Sequence, residues 1–453
     1  MTYTDYFASL KNKNIAVVGI GISNTPLIKM LVKSGAKVTA CDKKDKAALG
    51  NLAQELEEMG VVLQLGEDYL EGLDQELVFR SPGIRDDLPC FLQLKEKGST
   101  ITSEMEVFFD LCPAQIIAVT GSDGKTTTTT LIYQMLKQEG YTCHLGGNIG
   151  NPLLPEIANI KTDHKVVLEL SSFQLMTMKK SPQVAVITNL APNHLDWHKS
   201  MDEYIEAKTN LFSHQQPSGR LVTNLDNPIT NKISKEAKGE VLYFSRMEKT
   251  DLYLENGAVW FRGEEVVKTA DILLPGIHNV ENYMAAIGAV WGMVSKESIQ
   301  TVAKTFSKIP HRIEFVRELD GVKYYNDSIA TSPTRAIAGL NSFDRQVIMI
   351  AGGYDKKIPF DVLGDIIVKK VKKLVLLGVT AEKIRKVVME SELYRDGYPE
   401  IVMCKSLSEA LNQAKKGAKS GDVVILCPAC ASFDMYRNFE ERGNEFKRLV
   451  SNL

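Results

Sequence analysis

The segment Ile116-Ile117-Ala118-Val119-Thr120-Gly121-Ser122-Asp123-Gly124-Lys125-Thr126-Thr127 decides how this chain is interpreted. An apolar run, a glycine-containing turn and a helix-like stretch from Thr128 to Gln138 follow one another, as in a phosphate-binding loop. Glycines let the backbone approach a phosphate, the N–H groups at the helix start face it, and Lys125 adds a cation. Thr126 would offer its hydroxyl to Mg²⁺ bound to the same phosphates. We therefore predict a nucleotide site at this turn.

Composition restricts the class of protein. The 453 residues correspond to roughly three domains, and a chain that is 44% hydrophobic and 24% charged is ordinary for a globular protein. A net charge of −2 gives no electrostatic case for a nucleic-acid partner. No apolar run approaches the ~18 residues of a membrane span, and the N-terminus does not resemble a signal peptide. We expect a cytoplasmic monomer that acts on small molecules, with no nucleic acid and no membrane insertion.

The seven cysteines are scattered, which suits free thiols in a reducing compartment. Cys427-Pro-Ala-Cys430 is a C-x-x-C motif, for which a zinc site and a redox pair are the functional alternatives. A structural zinc site needs a second ligand pair, and the sequence has no other C-x-x-C. We expect two small buried thiols beside a strand end.

Three blocks of alternating strand-like and helix-like segments follow one another, which is the signature of parallel α/β sheets. We predict an α/β protein with a Rossmann-like N-terminal domain (residues 1–110), a central P-loop ATPase-like parallel sheet (111–310) and a Rossmann-like C-terminal domain (311–453). The predicted strands are 14–21, 37–42, 61–65, 77–80, 116–120, 166–170, 184–188, 221–224, 323–326, 347–351, 374–377 and 423–426.

A second glycine-rich turn lies in the first block. Gly19-Ile-Gly21-Ile-Ser-Asn24 follows a strand and precedes a helix, and Asp42 ends the next strand. This is the geometry of a dinucleotide fingerprint, except that Asn24 occupies the third glycine position. We favour a phosphate-approaching turn for another nucleotide over an NAD site. The turn Arg80-Ser-Pro-Gly83 is either structural or a second side of this site.

Polar side chains end two strands of the second block. Glu169 closes an apolar strand, where an unpaired charge is costly and where a metal-binding acid lies beside a phosphate loop in phosphoryl-transfer sheets. The segment Thr188–His198 follows the next strand, so it should reach the same sheet edge. His194 is our candidate metal ligand there, with His198 and Asp196 as alternatives. Lys208 looks like a helix-surface lysine.

Taken in order, these motifs resemble those of the Mur ligase family, over essentially the whole chain. The motifs that carry the resemblance are Gly121–Thr126, Gly147-Asn148-Ile-Gly150, Glu169–Gln174, Asn193-His194-Leu-Asp196, Ala207-Lys208, Gly276–Asn282 and Pro310-His311-Arg312. Three more resemble the D-glutamate-adding branch of the family: Asn326–Thr331, Gly352–Lys356 and Pro428–Gly443.

The resemblance implies a ligase in bacterial peptidoglycan precursor synthesis. Such an enzyme would use ATP to join D-glutamate to UDP-N-acetylmuramoyl-L-alanine through an acyl phosphate. The alternative is another Mur or folylpolyglutamate synthetase-type amide ligase with a different amino acid. A nucleotide-gated binding protein and an NAD oxidoreductase are rivals from other classes.

The resemblance also implies roles for individual residues. The uridine substrate would be bound by Ile22, Ser23, Asp42, Ser81, Gly83 and Asn148. ATP would be bound by Gly121, Gly124, Lys125, Thr126, Thr127, Asn279, Asn282, Arg312 and Asp327. Two Mg²⁺ ions would be held by Thr126, Glu169, His194 and a carbamylated Lys208. D-glutamate would be bound by Thr331, Lys356, Ser432 and Phe439. The catalytic set would be Lys125, Glu169, His194 and Lys208.

Three residues depart from the family pattern. Asp123 replaces the more usual asparagine of the phosphate loop, and its charge near ATP requires a Mg²⁺ ion or a nearby cation to offset it. Ile329 occupies a position often held by lysine, which affects the expected D-glutamate pocket. Cys427 occupies a position where serine is frequent in the family, so we interpret the C-x-x-C as a local variant of the family sequence rather than a redox motif.

Overall fold

The computed structural model describes residues 2–21, 23–149, 152–306, 311–356 and 358–453. The chain forms three β-sheets in sequence order, of five, nine and six strands. Strand pairing is mostly parallel, and helices alternate with the strands, so the predicted α/β class with Rossmann-like and P-loop-like sheets is confirmed. None of the described helices combines the length and apolar character needed to cross a membrane.

The N-terminal sheet is entirely parallel and has the strand order β3-β2-β1-β4-β5. Its strands are β1 (Asn14–Val18), β2 (Lys37–Asp42), β3 (Val62–Leu65), β4 (Leu77–Arg80) and β5 (Thr100–Thr102). Its helices are α1 (Tyr3–Ser9), α2 (Asn24–Lys33), α3 (Lys46–Leu49), α4 (Asn51–Glu58), α5 (Pro89–Glu96) and α6 (Glu104–Leu111). The strand order reverses between β1 and β4, and sheets of this kind bind ligands outside the carboxyl ends of the strands at such a point.

The central sheet has the order β14-β13-β12-β11-β10-β9-β6-β8-β7. Its strands are β6 (Gln115–Thr120), β7 (Cys143–Gly147), β8 (Lys165–Glu169), β9 (Val184–Ile187), β10 (Arg220–Asn224), β11 (Glu240–Ser245), β12 (Leu252–Glu255), β13 (Ala258–Phe261) and β14 (Glu264–Lys268). Its helices are α7 (Lys125–Glu139), α8 (Ser172–Leu175), α9 (Met201–Ser213), α10 (Pro228–Ile233), α11 (Ile277–Val290) and α12 (Lys296–Thr305), with 3₁₀ turns at Leu154–Asn159, Ser234–Glu236 and Thr269–Asp271.

The C-terminal sheet has the order β15-β16-β20-β17-β18-β19. Its strands are β15 (Glu314–Leu319), β16 (Val322–Asn326), β17 (Val347–Ala351), β18 (Val371–Leu376), β19 (Glu400–Met403) and β20 (Val423–Leu426). Its helices are α13 (Pro333–Asn341), α14 (Asp361–Lys370), α15 (Ala381–Met389), α16 (Leu407–Lys416) and α17 (Phe439–Ser451).

Antiparallel hairpins at two sheet edges differ from the all-parallel expectation. Strands β12, β13 and β14 form an antiparallel meander, and β15 pairs antiparallel with β16. The connections are two-residue turns with positive φ at both positions: Asn256-Gly257, Arg262-Gly263 and Asp320-Gly321. Asn-Gly and Asp-Gly are the preferred residues of such hairpins, so the signal was present in the sequence.

All three sheets are buried on both faces. Along β6, Ile116 and Ala118 belong to one hydrophobic cluster while Ile117 and Val119 belong to another, and β1 and β17 alternate in the same way. Burial on both faces explains why these strands are continuous apolar runs.

The order of the strands in the central sheet determines where the candidate site lies. Strands β9, β6 and β8 are neighbours and parallel, so their carboxyl ends lie side by side. The phosphate loop, Glu169 and the segment after Ile187 therefore meet at one sheet edge.

Candidate active site

The loop between β6 and α7 requires its two glycines. Gly121 and Gly124 have φ of 149° and 78°, which disfavour other residues. An added Cβ would lie 2.0 Å from Oγ1 of Thr188 at the first position and 2.3 Å from Oδ1 of Asn282 at the second. The backbone therefore approaches both neighbouring segments more closely than any side chain allows.

The start of α7 has the features of an anion site. The N–H groups of Lys125, Thr126 and Thr127 make no hydrogen bond to the described backbone carbonyls, as expected of a first helical turn. The Lys125 ammonium lies over the loop, donating to the carbonyl oxygens of Gly121 (2.8 Å) and Ser122 (3.0 Å). Burial, reinforced by Arg335, lowers the pKa of Lys125 to about 8. The hydroxyl of Thr127 is buried without a hydrogen-bond partner among the described residues.

Glu169 ends β8 and is 2% exposed. Its carboxylate accepts hydrogen bonds from Oγ1 of Thr126 at 2.7 Å and from Nδ2 of Asn148 at 2.8 Å. Hydroxyl and carboxylate oxygens are the ligands that Mg²⁺ prefers, and the ion usually completes its shell with phosphate and water oxygens. Thr126 and Glu169 therefore fit a Mg²⁺ site beside the phosphate loop.

His194 lies at the same edge, with a positive φ of 55° and its ring 4.9 Å from that of Phe173. Burial, with Lys356 and Lys125 nearby, holds its pKa far below the ordinary value. A neutral ring keeps a lone pair for a metal ion. The alternative His198 faces elsewhere: it is 2% exposed, with Nε2 2.9 Å from Oγ of Ser172, and it lines neither cavity described below.

Lys208 is not a surface lysine. It lies on α9 and is 2% exposed, and its Nζ donates to Oγ1 of Thr120 (3.0 Å) and to the carbonyl of Gly121 (2.9 Å). Burial and the neighbouring Lys125 lower the pKa of Lys208 well below its ordinary value. An unprotonated amine is the form that reacts with CO₂ to give a carbamate. The unmodified amine offers no oxygen ligand, and the described residues hold no cluster of three His, Cys, Asp or Glu suited to a metal ion.

The first cavity opens between the phosphate loop and the C-terminal sheet. Of the residues predicted to bind ATP, Gly124, Asn282, Arg312 and Asp327 line it. Asn279 does not: its Oδ1 accepts from Nδ2 of Asn282 at 3.0 Å, so it orients that side chain. Burial raises the pKa of Asp327 to about 7 and lowers that of Arg312 to about 10.

The second cavity adjoins the first and joins the central and C-terminal sheets. The predicted residues that line it are Lys125, Thr126, Asn148, Glu169, His194, Lys208, Thr331, Lys356, Ser432 and Phe439. Lys356 is 8% exposed with Nζ 3.4 Å from Oγ1 of Thr331, and burial, with Arg335, lowers its pKa to about 7. The hydroxyl of Ser432 is buried without a partner among the described residues. These donors converge on a space suited to an anion.

The N-terminal turns form a separate group outside both cavities. Asp42 accepts from the N–H groups of Ile20 (2.6 Å) and Lys44 (2.9 Å), which orients the glycine-rich turn. A Cβ at Gly19 would lie 2.6 Å from Cβ of Ser81, so the turns after β1 and β4 are in close contact.

Asn24, in the third glycine position, donates to the carbonyl of Gly19 at 2.8 Å. The carbonyl of Gly83 accepts from Nε1 of Trp197 in the central domain. The hydroxyl of Ser23, before α2, makes no capping hydrogen bond. Ile22 lies outside the described residues.

The cysteine pair is structural. Cys427 and Cys430 are 0% and 2% exposed, just after β20, and all seven thiols are free. Burial holds the pKa of Cys427 well above its ordinary value and raises that of Cys430 to about 12, so both stay protonated. Protonated buried thiols are poor nucleophiles and poor metal ligands.

Sequence reasoning missed one residue that borders both cavities, Arg335. Its Nε donates to Oδ1 of Asp123 at 2.8 Å, and Oγ1 of Thr334 donates to Oδ2 at 3.0 Å. Arg335 supplies the cation that the unusual Asp123 was expected to need. No local pattern identified it, because it reaches the loop from another sheet.

Comparison with known proteins gives consistent matches. The Mur ligase middle domain matches residues 119–290, and the domain described as Mur ligase, glutamate ligase domain matches residues 311–430. UDP-N-acetylmuramoylalanine–D-glutamate ligase of Acetivibrio thermocellus is 56% identical over 99% of this chain and 98% of its own length. The protein of the same name from Clostridium kluyveri is 54% identical over 100% and 99%.

A solved structure, the UDP-N-acetylmuramate-alanine ligase MurC of Thermotoga maritima, resembles this chain in fold. The TM-score is 0.63 at 19% identity, over 97% of this chain and 100% of that one. With full-length relatives at more than half identity and two matching domain families, the chain belongs to the Mur ligase family.

Proposed function

We propose that this protein is the ATP-dependent ligase that adds D-glutamate to UDP-N-acetylmuramoyl-L-alanine in peptidoglycan synthesis. The observation that carries the proposal is the second cavity, where a phosphate loop and its acidic partner Glu169 face a separate cationic pocket formed around Lys356. An enzyme that activates a carboxylate with ATP and then joins it to an anionic amine needs a phosphate site and a cationic amino-acid pocket in the same cavity. Full-length relatives at 54–56% identity bear the corresponding name.

The reaction follows from the groups present. A carboxylate is a poor acyl donor, so the L-alanyl carboxylate would attack the γ-phosphorus of ATP, releasing ADP and forming an acyl phosphate. The free N–H groups at the start of α7 and the ammonium of Lys125 would hold the phosphates. The amine of D-glutamate would then attack the activated carbonyl, and phosphate would leave.

Thr126, Glu169 and His194 would hold Mg²⁺, and a carbamate on Lys208 would add the oxygen ligands that its amine lacks. When bound, Mg²⁺ neutralises charge on the phosphate oxygens. His194 would serve the metal rather than act as a base, because a ring whose pKa is held far below its ordinary value takes up a proton only weakly. Asn148 would orient Glu169 and contact the alanyl end of the uridine substrate.

D-glutamate brings two carboxylates into the second cavity. Burying them without partners would be costly. Lys356, Thr331 and Ser432, whose hydroxyl has no partner among the described residues, would donate to these carboxylates, and Phe439 would cover the aliphatic part. The uridine diphosphate would lie in the N-terminal crevice, on the turns that contain Ser23, Asp42, Ser81 and Gly83.

We also propose domain boundaries near residues 110 and 310. The N-terminal sheet ends with β5, α6 crosses to the central sheet at Leu111, and the C-terminal sheet begins with β15. A monomeric state and a cytoplasmic location belong to the same proposal.

The test measures ADP release with each substrate omitted in turn. We expect steady-state release only when UDP-N-acetylmuramoyl-L-alanine, D-glutamate and ATP are all present. A full rate without the amino acid would favour a nucleotide-hydrolysing binding protein. A requirement for another amino acid would favour a different ligase of the family, and turnover of a nicotinamide cofactor would favour the oxidoreductase.

A further inference from the structure

One cation reaches the phosphate loop from the C-terminal domain. Arg335 is the third residue of α13, and its side chain, 14% exposed, forms an ion pair with Asp123, the residue before Gly124 of the loop. The pair therefore joins the two sheets at the point where the phosphates of a nucleotide would bind.

Arg335 lies at the junction of the two cavities. Together with Ile329 it lines both of them. Of the residues proposed for the nucleotide, Gly124, Asn282, Arg312 and Asp327 line the first cavity, while Lys125 and Thr126 line the second, together with Glu169 and the amino-acid pocket. With proposed phosphate ligands on both sides of this junction, the phosphoryl group that moves from ATP to a carboxylate would lie next to Arg335.

The guanidinium has unused donors. An arginine has five N–H donors. Nε donates to Asp123 and Nη1 to the carbonyl of Ile329 at 3.1 Å, while Nη2 makes no hydrogen bond to the described residues. Arg335 also contributes to lowering the pKa values of Lys125 and Lys356, after burial, so its charge acts in both cavities.

We propose that Arg335 contacts the phosphoryl group during its transfer, and that Asp123 is a positioning residue that holds the guanidinium. The inference rests on the proposed ligase function. In the step concerned, a carboxylate oxygen of the substrate bonds to the γ-phosphorus as the bond from phosphorus to the β,γ-bridging oxygen breaks. ADP keeps the electron pair, and no proton or redox partner is needed. The free Nη2 donors would stabilise the charge on the transferring oxygens.

A narrower role for Arg335 is to neutralise Asp123 so that the loop tolerates ATP. The double variant separates the two roles. If Arg335 only neutralises, Asp123→Asn should rescue Arg335→Met, because the charge that needed a partner is gone. If Arg335 contacts the phosphoryl group, removing the aspartate cannot restore the lost donors.

The experiment compares kcat for ADP release, with all substrates saturating, in the wild type, Arg335→Met, Arg335→Lys, Asp123→Asn and the Arg335→Met/Asp123→Asn double variant. Arginines that stabilise a transferring phosphoryl group contribute roughly 10³- to 10⁵-fold. We expect kcat to fall at least ~100-fold in Arg335→Met. It should fall at least ~10-fold in Arg335→Lys, because lysine keeps the charge but not the planar, forked set of N–H donors. The loss in Asp123→Asn should be smaller. The double variant should be no faster than Arg335→Met.

Arg345→Met is the matched control, because Arg345 is exposed in the same domain, pairs with Asp344 and lines neither cavity. The thermal unfolding of each variant, followed by circular dichroism, verifies folding of the whole chain. If Arg335→Met fails there, Arg335→Lys decides: a rate within about 3-fold of wild type overturns the inference.

Recovery of the double variant to within about 3-fold of Asp123→Asn, or an Arg335→Met rate within about 3-fold of wild type, overturns the inference alone. A wild type that releases no ADP with all substrates overturns the proposed function and, with it, this role.

Discussion

Replacing Lys356 by methionine should stabilise the free protein and weaken the binding of D-glutamate at the same time. Lys356 is 8% exposed, and burial together with Arg335 and Lys125 lowers its pKa to about 7, against 10.5 for an ordinary lysine. Between these pH values the unfolded chain binds a proton that the folded protein does not, so stability falls as the pH falls through this window. Methionine keeps the aliphatic length and removes this penalty.

The magnitude follows from the same pKa. One pH unit corresponds to about 1.4 kcal/mol, so at pH 7.5 the penalty amounts to at most about 4 kcal/mol. Its removal should raise the apparent melting temperature by several degrees, since about 1 kcal/mol shifts a domain of this size by roughly 2–4 °C. The gain should be smaller at pH 9.5, where the unfolded lysine approaches its own pKa.

Substrate binding should change in the opposite direction. A charge-assisted hydrogen bond contributes roughly 1.5–3 kcal/mol, so Lys356→Met should raise KM for D-glutamate at least ~10-fold. KM for the uridine substrate should change little, because its uridine diphosphate would lie on the N-terminal domain. With Ile329 at a position often held by lysine, Lys356 should carry a larger share of the charge compensation than in relatives with two lysines.

Lys373→Met is the matched control. Lys373 is 7% exposed on β18 but is paired with Glu400 at 3.0 Å and lines neither cavity. We expect no gain in stability and no change in either KM. A Lys356→Met protein that melts lower than wild type and keeps its KM for D-glutamate would refute the reasoning and make Lys356 a structural residue.

Two further substitutions test the proposed phosphate and metal sites. Lys208→Ala should remove most activity, and added short-chain carboxylates should restore part of it by replacing the carbamate oxygens; a near-normal rate without rescue would exclude a carbamate role. Gly124→Ala should weaken ADP binding at least ~10-fold in calorimetry, because the methyl group meets an asparagine and the left-handed backbone costs ~1–2 kcal/mol. Gly140→Ala is the control: Gly140 also has a positive φ, but a methyl group added there would have no atom within 4 Å, so the substitution should lower stability without changing ADP affinity. Equal ADP affinity in the two variants would contradict the steric explanation.

Local patterns predicted twelve of the twenty described strands, among them the central strands of all three sheets. The apolar runs along β1, β6 and β17 are continuous because both sheet faces are buried, and the glycine turn after β6 has a backbone geometry that few other residues adopt. The hairpin at Asn256-Gly257 was not predicted, although Asn-Gly is a preferred residue pair in two-residue hairpin turns.

The site was predictable only where one sheet edge builds it. Glu169 and the segment before His194 end neighbouring parallel strands, so their proximity follows from topology. The burial of Lys208 depends on how α9 packs against the phosphate loop, and the Asp123–Arg335 pair depends on the approach of two domains. Neither contact leaves a pattern in adjacent residues, and the resemblance to the family pointed only to Lys208.

The most direct test of the proposed ligase identifies the product. ATP and UDP-N-acetylmuramoyl-L-alanine would be incubated with D-glutamate or L-glutamate, and the nucleotide products quantified by liquid chromatography with mass spectrometry. We predict one molecule of a glutamate-extended uridine nucleotide for each ADP with D-glutamate, and no product with L-glutamate. ADP without the extended nucleotide, or equal extension by both enantiomers, would contradict the assignment.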